Sequence, residues 1–283
     1  MSRHGKDRGG AWWPRCVALA MVVGVSVGAA MVGGCGTTVP VPNPSFAIDA
    51  SRAEADLIQM RKTPVALERH LVVLGGYGDP GLFAGGMADR FREMVTNPEL
   101  VHSKSFFFSG SFDGAVKTLR EHLEDELGVP PETVPLDVVG ISMGGLVGRY
   151  AAMDGPEGPG LDVRRLFTIS TPHRGADGAD VPSLDKKVTA MRAGSDFLTS
   201  LDEALPRAEY ELYCYVRLRD GIVGEENAAP EGHAVLWVDT PRFEMSHLDS
   251  PGDPRILADI ARRVRGESAY AVLRGSPLPE VEE

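Results

Sequence analysis

Leu136-Asp137-Val138-Val139-Gly140-Ile141-Ser142-Met143-Gly144-Gly145-Leu146-Val147 is the stretch on which the reading of this chain turns. Its first six residues are apolar enough for a strand buried on both faces, and its last few can open a helix. Between them, Gly140-Ile141-Ser142-Met143-Gly144 fits the tight strand-to-helix turn that lifts a serine hydroxyl above the edge of a sheet, where small neighbours avoid clashes. The pattern needs this setting to mean anything. Gly24-Val25-Ser26-Val27-Gly28 matches it equally well inside an uninterrupted apolar segment, where no such turn can form. The plain alternative for Ser142 is a serine in a Gly-rich turn, or at a helix start that holds an anion.

Working outward, strand-like runs recur at 71–74, 105–108, 165–169, 212–217 and 234–238. They alternate with helical patterns at 51–61, 87–95, 112–127, 145–153, 184–205 (with a break near Gly194) and 253–264, the last opened by an Asp253-Pro254 cap. Alternation of this kind implies an α/β chain with a mostly parallel sheet and helices on both faces.

A serine hydroxyl needs a base to take its proton, and in this chain order the acid and the base follow the nucleophile on later loops. His4 falls in the N-terminal segment, His70 and His102 precede Ser142, His122 sits in the preceding helix, and His233 lies at the amino end of its strand. His247, in the loop after the last strand, is the expected base. His173, in Ser170-Thr171-Pro172-His173-Arg174-Gly175, reads first as a turn residue after proline and secondly as a residue bordering the cleft. Asp220, in Arg219-Asp220-Gly221-Ile222-Val223, follows the strand at 212–217 and is the expected acid; Asp-Gly is also an ordinary turn signal, and Asp239, Asp249 and Asp253 compete. An oxyanion formed at Ser142 would be met by the N–H of Met143 and by that of Tyr77 in Gly75-Gly76-Tyr77-Gly78. That glycine-rich loop could instead cradle phosphate, but residues 75–86 do not match the dinucleotide fingerprint.

With these segments in order, the chain from about Leu71 to Val264 resembles the bacterial lipase and esterase branch of the α/β-hydrolases, including relatives of the inositol-deacylating PGAP-type enzymes. The resemblance is carried by residues 73–78, 138–146, 169–175, 220–223 and Ser246-His247-Leu248. It departs where that family commonly has histidine, at Gly75 and at Ile141. What the resemblance implies is an α/β-hydrolase fold and hydrolysis of a carboxylic ester through an acyl-enzyme, with a lipid-like substrate and neither metal nor organic cofactor. The forty residues from Thr171 to Tyr210 leave room only for a small cap. An acyltransferase using the same triad, and an inactive envelope-tethered binding protein, are the rival readings.

Composition sets the outer limits. The 283 residues, 43% hydrophobic and 24% charged, suit one main globular domain, expected at 67–266. Ahead of it, Arg3, Lys6, Arg8 and Arg15 precede an uncharged apolar run at 16–32 that ends in Val32-Gly33-Gly34-Cys35. This resembles the signal peptide and lipobox of bacterial lipoproteins, implying cleavage after residue 34, lipidation of Cys35 and an envelope location; Gly36 points by resemblance to the outer membrane. Cleavage near Ala30, or an uncleaved anchor, are the alternatives. A Pro-rich tether and a short helix would fill 35–66, and an acidic frayed tail 267–283.

Loss of residues 1–34 would take Lys+Arg from 29 to 25, Asp+Glu from 40 to 39 and the net charge from -11 to -14. Such an acidic surface argues against nucleic acid and against charge-driven docking on anionic lipid, and nothing implies a protein partner. Cys214 would be the one free thiol left, without a disulfide partner.

Overall fold

Six strands, β1 (His70–Leu74), β2 (Val101–Lys104), β3 (Leu136–Ile141), β4 (Val163–Ile169), β5 (Glu211–Arg217) and β6 (Val235–Val238), pair in the spatial order β2-β1-β3-β4-β5-β6. Every pairing is parallel. The computed structural model describes residues 41–179, 183–241, 244–272 and 276–279. The expected signal segment, Cys35 and the start of the tether lie outside the described residues.

Successive strand side chains point to opposite faces, and the core divides accordingly. Leu71, Val73, Val139, Ile141, Phe167, Ile169, Tyr213 and Tyr215 bury on one face with helices α1 (Ala50–Lys62), α2 (Leu82–Arg92) and, beyond the cap, the last helix, Pro254–Val264. Val72, Leu74, Leu136, Val138 and Leu166 bury on the other face, against α3 (Phe112–Leu127) and α4 (Met143–Ala151). Burial on both sides is what a parallel sheet of βα units demands, and it explains the apolar runs at 71–74 in β1 and 138–141 in β3.

After β4 the chain forms two short helices, α5 (Lys186–Ala190) and α6 (Asp196–Ala204), with Gly194 between them at φ +71°, a left-handed turn that glycine adopts without strain. They make up the small cap. A single turn, α7 (Ser246–Asp249), then leads to the last helix, α8 (Pro254–Val264), capped by Asp253 as its sequence predicts.

Three expectations change. The second strand is Val101–Lys104 and not 105–108, because Val101 to Lys104 carry the register with Leu71 to Leu74. The Phe106-Phe107-Phe108 run is loop, with Phe106 buried beneath it and Phe108 almost fully exposed. Helix α2 starts five residues before the predicted 87, since the buried Asp79 accepts from the N–H groups of Gly81, Phe83 and Ala84 at 2.8, 3.2 and 3.0 Å and so fixes its entry. The expected frayed tail is in part docked: Val272 N–H donates to the Ser45 carbonyl at 2.9 Å, and Trp237 Nε1 donates to the carbonyls of Ser276 and Pro277.

Candidate active site

The strand order reverses direction between β1 and β3: β1 continues outward to β2, whereas β3 leads to β4, β5 and β6 on the other side. The crevice beyond the carboxyl ends of two such strands is where an open α/β sheet offers a site. The loop after β1 and the turn after β3 meet there. Ser142 heads α4 at φ 52° and ψ -123°, a strained conformation for a residue with a side chain. Glycines make the turn possible. A Cβ on Gly140 would lie 2.3 Å from Gly145 Cα, and one on Gly144 would lie 2.5 Å from the Leu74 carbonyl oxygen. Ser142 N–H donates to the Ile169 carbonyl at 2.8 Å, and Thr171 Oγ1 donates to the Ser142 carbonyl at 2.8 Å, so the end of β4 and the segment just after it hold the turn.

Loops after β5 and β6 bring the other two expected residues to Ser142. His247 Nε2 lies 3.1 Å from Ser142 Oγ, and His247 Nδ1 lies 2.9 and 3.1 Å from the two carboxylate oxygens of Asp220. An ionised carboxylate only accepts, so Nδ1 carries the proton and Nε2 is left to accept from the serine. Burial works against the Asp220 charge, but the bond and charge of His247 and the N–H groups of Val223 and Ile222 outweigh it and lower its pKa below the ordinary carboxylate value. Asp220 is sealed from solvent, whereas His247, 12% exposed at its side chain, and Ser142 are both half-buried, so the orienting group lies beneath the two reactive ones.

The His247 loop is itself tied down. Ser246 Oγ donates to the Arg217 carbonyl at 3.1 Å, and Ser250 Oγ donates to the Ser246 carbonyl at 2.7 Å. Arg217 in turn binds the buried Asp253, the α8 cap, at 2.7 Å. Burial would raise the pKa of Asp253, but Arg255 and Arg217 more than offset it and hold the carboxyl below its ordinary range. Ser250 and Arg217 were not singled out from the sequence, where a polar residue beside a candidate site residue has no distinguishing pattern.

Gly76 lies against the serine: a Cβ there would sit 3.2 Å from Ser142 Cβ and 3.3 Å from the Ile141 carbonyl oxygen. The N–H groups of Tyr77 and Met143, the two expected oxyanion donors, have no acceptor among the described residues. Met143 stands at the first position of α4, where the N–H points out of the helix and the dipole favours negative charge.

His173 does not border the cleft. It is fully buried, with Nδ1 3.2 Å from Arg149 Nη1 and Nε2 3.0 Å from Thr168 Oγ1. Arginine only donates, so Nδ1 accepts and Nε2 carries the proton. Burial and the Arg149 charge push its pKa well down, keeping it neutral. The same Arg149 donates to the Leu201 carbonyl at 2.8 Å, so the histidine belongs to a brace between α4, β4 and the cap helix α6. Cys214, the one free cysteine among the described residues, lies in this brace with burial pushing its thiol up to about 12, which leaves it unreactive. A separate cavity of about 650 Å³ lined by Arg149, Leu161, Leu201 and Tyr210 contains no residue of the Ser142 site.

No family model matches the chain, and no curated protein matches it either. Among solved structures it is similar to phospholipase PlaB from Legionella pneumophila in complex with thio-NAD, at 10% identity and a TM-score of 0.53 over 72% of this chain and 59% of that one. It is also similar to the lipase BlEst2 from Bacillus licheniformis in mature form, at 14% identity and a TM-score of 0.50 over 66% of this chain and 88% of that one. The chain thus spans less than two thirds of PlaB and most of mature BlEst2. At such identities the likeness is one of fold, and with the parallel six-stranded sheet and its surrounding helices it gives the chain the α/β-hydrolase fold.

Proposed function

We propose that the protein is a serine-dependent carboxylic ester hydrolase of the lipase or esterase type. The observation that carries this reading is the unbroken relay from Ser142 Oγ through His247 to Asp220 at the switch point of the sheet. His247 Nε2 takes the Ser142 proton as Oγ attacks the ester carbonyl, and the oxyanion accepts from the Tyr77 and Met143 N–H groups. Collapse breaks the bond to the alcohol, which leaves with the proton from His247. Water, deprotonated by the same nitrogen, then attacks the acyl-enzyme and frees the acid and Ser142. Asp220 stays ionised throughout and balances the imidazolium charge.

A lipid-like substrate is supported by where apolar surface is exposed. Twelve large apolar side chains are exposed among the described residues, and eight of them stand on segments that follow the carboxyl ends of strands: Tyr77, Leu82 and Phe83 after β1, Phe108 after β2, Leu184 after β4, Ile222 after β5, Met245 and Leu248 after β6. In a parallel sheet these segments share the edge that bears Ser142. Concentration of apolar surface on one edge marks a contact site and not ordinary scatter. The similar structures, a phospholipase and a lipase, support the same substrate class.

We further propose an envelope location through a lipid on Cys35; the basic residues and apolar run of the N-terminal sequence support it. No helix among the described residues is long and apolar enough to cross a membrane.

Turnover of p-nitrophenyl esters from short to long acyl chains tests the reading, with Ser142→Ala alongside. Wild-type turnover abolished in that variant supports it, and a folded wild type inert on every ester contradicts it. Product analysis in the presence of added alcohol separates hydrolysis from acyl transfer.

A further inference from the structure

Between Leu74, the last residue of β1, and Asp79, which fixes the entry to α2, the chain reads Gly75-Gly76-Tyr77-Gly78. Tyr77 is the one residue of the four with a side chain. Its N–H belongs to the planar Gly76–Tyr77 peptide, whose carbonyl accepts from Asp79 N–H at 3.3 Å, a long bond that ties one end of the plane, and Gly78 follows at φ +73°. A hold on the tyrosine ring is a second tie on the direction of that N–H.

The ring is held from the cap. Tyr77 Oη donates to Asp185 Oδ2 at 2.8 Å, and Lys187 Nζ stands 5.2 Å from the ring centroid, within the range of a cation–π contact. Neither partner is loosely placed. Asp185 caps α5, with its Oδ1 accepting from Lys187 N–H at 2.8 Å. Lys187 is buried, and its Nζ donates to the Phe106 carbonyl in the loop after β2 at 3.3 Å. Three segments, after β1, after β2 and after β4, thus meet at the tyrosine.

We propose that Asp185 and Lys187 are positioning residues for the oxyanion donor, so that docking of the cap helix α5 completes the site by orienting the Tyr77 N–H. This rests on the ester-hydrolase reading. A cap that moves away would leave Ser142, His247 and Asp220 in place but take one of two ties off the Tyr77 N–H and loosen its aim at the transition state. Cap position then controls rate without touching the relay.

Steady-state kinetics on one short-chain p-nitrophenyl ester, together with the affinity of an alkylboronic acid that forms a tetrahedral adduct on a serine, provide the test for Tyr77→Phe, Asp185→Ala, Asp185→Asn and the Tyr77→Phe/Asp185→Ala double variant. Tyr77→Phe removes only the hydroxyl and leaves the α5 cap bond intact, so folding is preserved. The expected result is a fall of about tenfold in kcat for Tyr77→Phe and Asp185→Ala with KM within about twofold, and a parallel loss of boronate affinity. The double variant should be no worse than the single ones, as for two ends of one contact. Asp185→Asn keeps an acceptor oxygen and should recover most of the rate. An active wild type with Tyr77→Phe and Asp185→Ala unchanged in kcat and boronate affinity, or changed in KM alone, would overturn this inference and leave the ester-hydrolase reading standing. A wild type with neither turnover nor boronate binding would overturn both.

Discussion

At Ser142 and its neighbours, chemistry rests on single atoms. In Asp220→Asn the amide nitrogen can face His247 Nδ1 and force the proton onto Nε2, where it blocks acceptance from Ser142; kcat should fall by about 10⁴, and His247→Ala should fall at least as far. Stopped assays with purified variants, checked for folding by circular dichroism, measure this. Gly140→Ala should lower stability by upwards of about 2 kcal/mol, because the added Cβ would meet Gly145 Cα at 2.3 Å in backbone that cannot yield; urea unfolding gives the value. Ser142 and Gly140 were legible in the sequence because the turn demands glycine at fixed offsets from the serine, and His247 and Asp220 because chain order puts them after later strands. His173 was not. Its Pro-His-Arg-Gly surroundings spell a turn, and only the tertiary packing of α4 and α6 shows that a buried guanidinium waits for it.

Among the elements, β1, β3 and α3 announce themselves by apolar period, while β2 does not. Val-His-Ser-Lys is an edge strand covered on its faces but open along one side, and its half-polar composition hides beside the more strand-like phenylalanines that follow. The same edge carries a histidine cluster. His102 Nε2 lies 2.9 Å from His70 Nδ1 on β1, with His122 and Glu126 of α3 and Arg92 of α2 also facing it. Burial lowers the His102 pKa to about 4, helped by His70, His122 and Arg92 and opposed by Glu126. An unfolded histidine takes its proton near 6.5. Between those two values the unfolded chain binds more protons than the folded one, so this contribution is complete above about pH 6.5 and is lost as pH falls toward 4. The loss from His102 alone is on the order of 3 kcal/mol. Burial lowers the pKa values of His70 and His122 as well, in the same direction. The melting temperature should therefore drop between pH 7 and pH 5, and His102→Gln should flatten that dependence.

For the molecule as a whole, a parallel sheet sends every loop that follows a strand to one edge, and that rule alone joins Ser142, His247 and Asp220 to the glycine-rich loop after β1, the cap and the exposed apolar rim. Sequence order places those loops on the edge; the contact between Tyr77 and Asp185, 108 residues apart, belongs to the folded chain and leaves no local trace. A rim that meets lipid predicts a split between substrates. Phe108→Asp and Leu82→Asp, both far exposed, should reduce turnover of a dispersed long-chain ester several-fold while leaving a soluble short-chain ester unchanged. Parallel assays on the two esters read this directly. If Ser142 is a nucleophile activated by His247, a fluorophosphonate given to the folded protein should leave one adduct, found by peptide mapping with mass spectrometry on the peptide carrying Ser142, lost in Ser142→Ala and strongly slowed in His247→Ala. A folded protein that takes no adduct, or takes it on another residue, would refute Ser142 as the nucleophile.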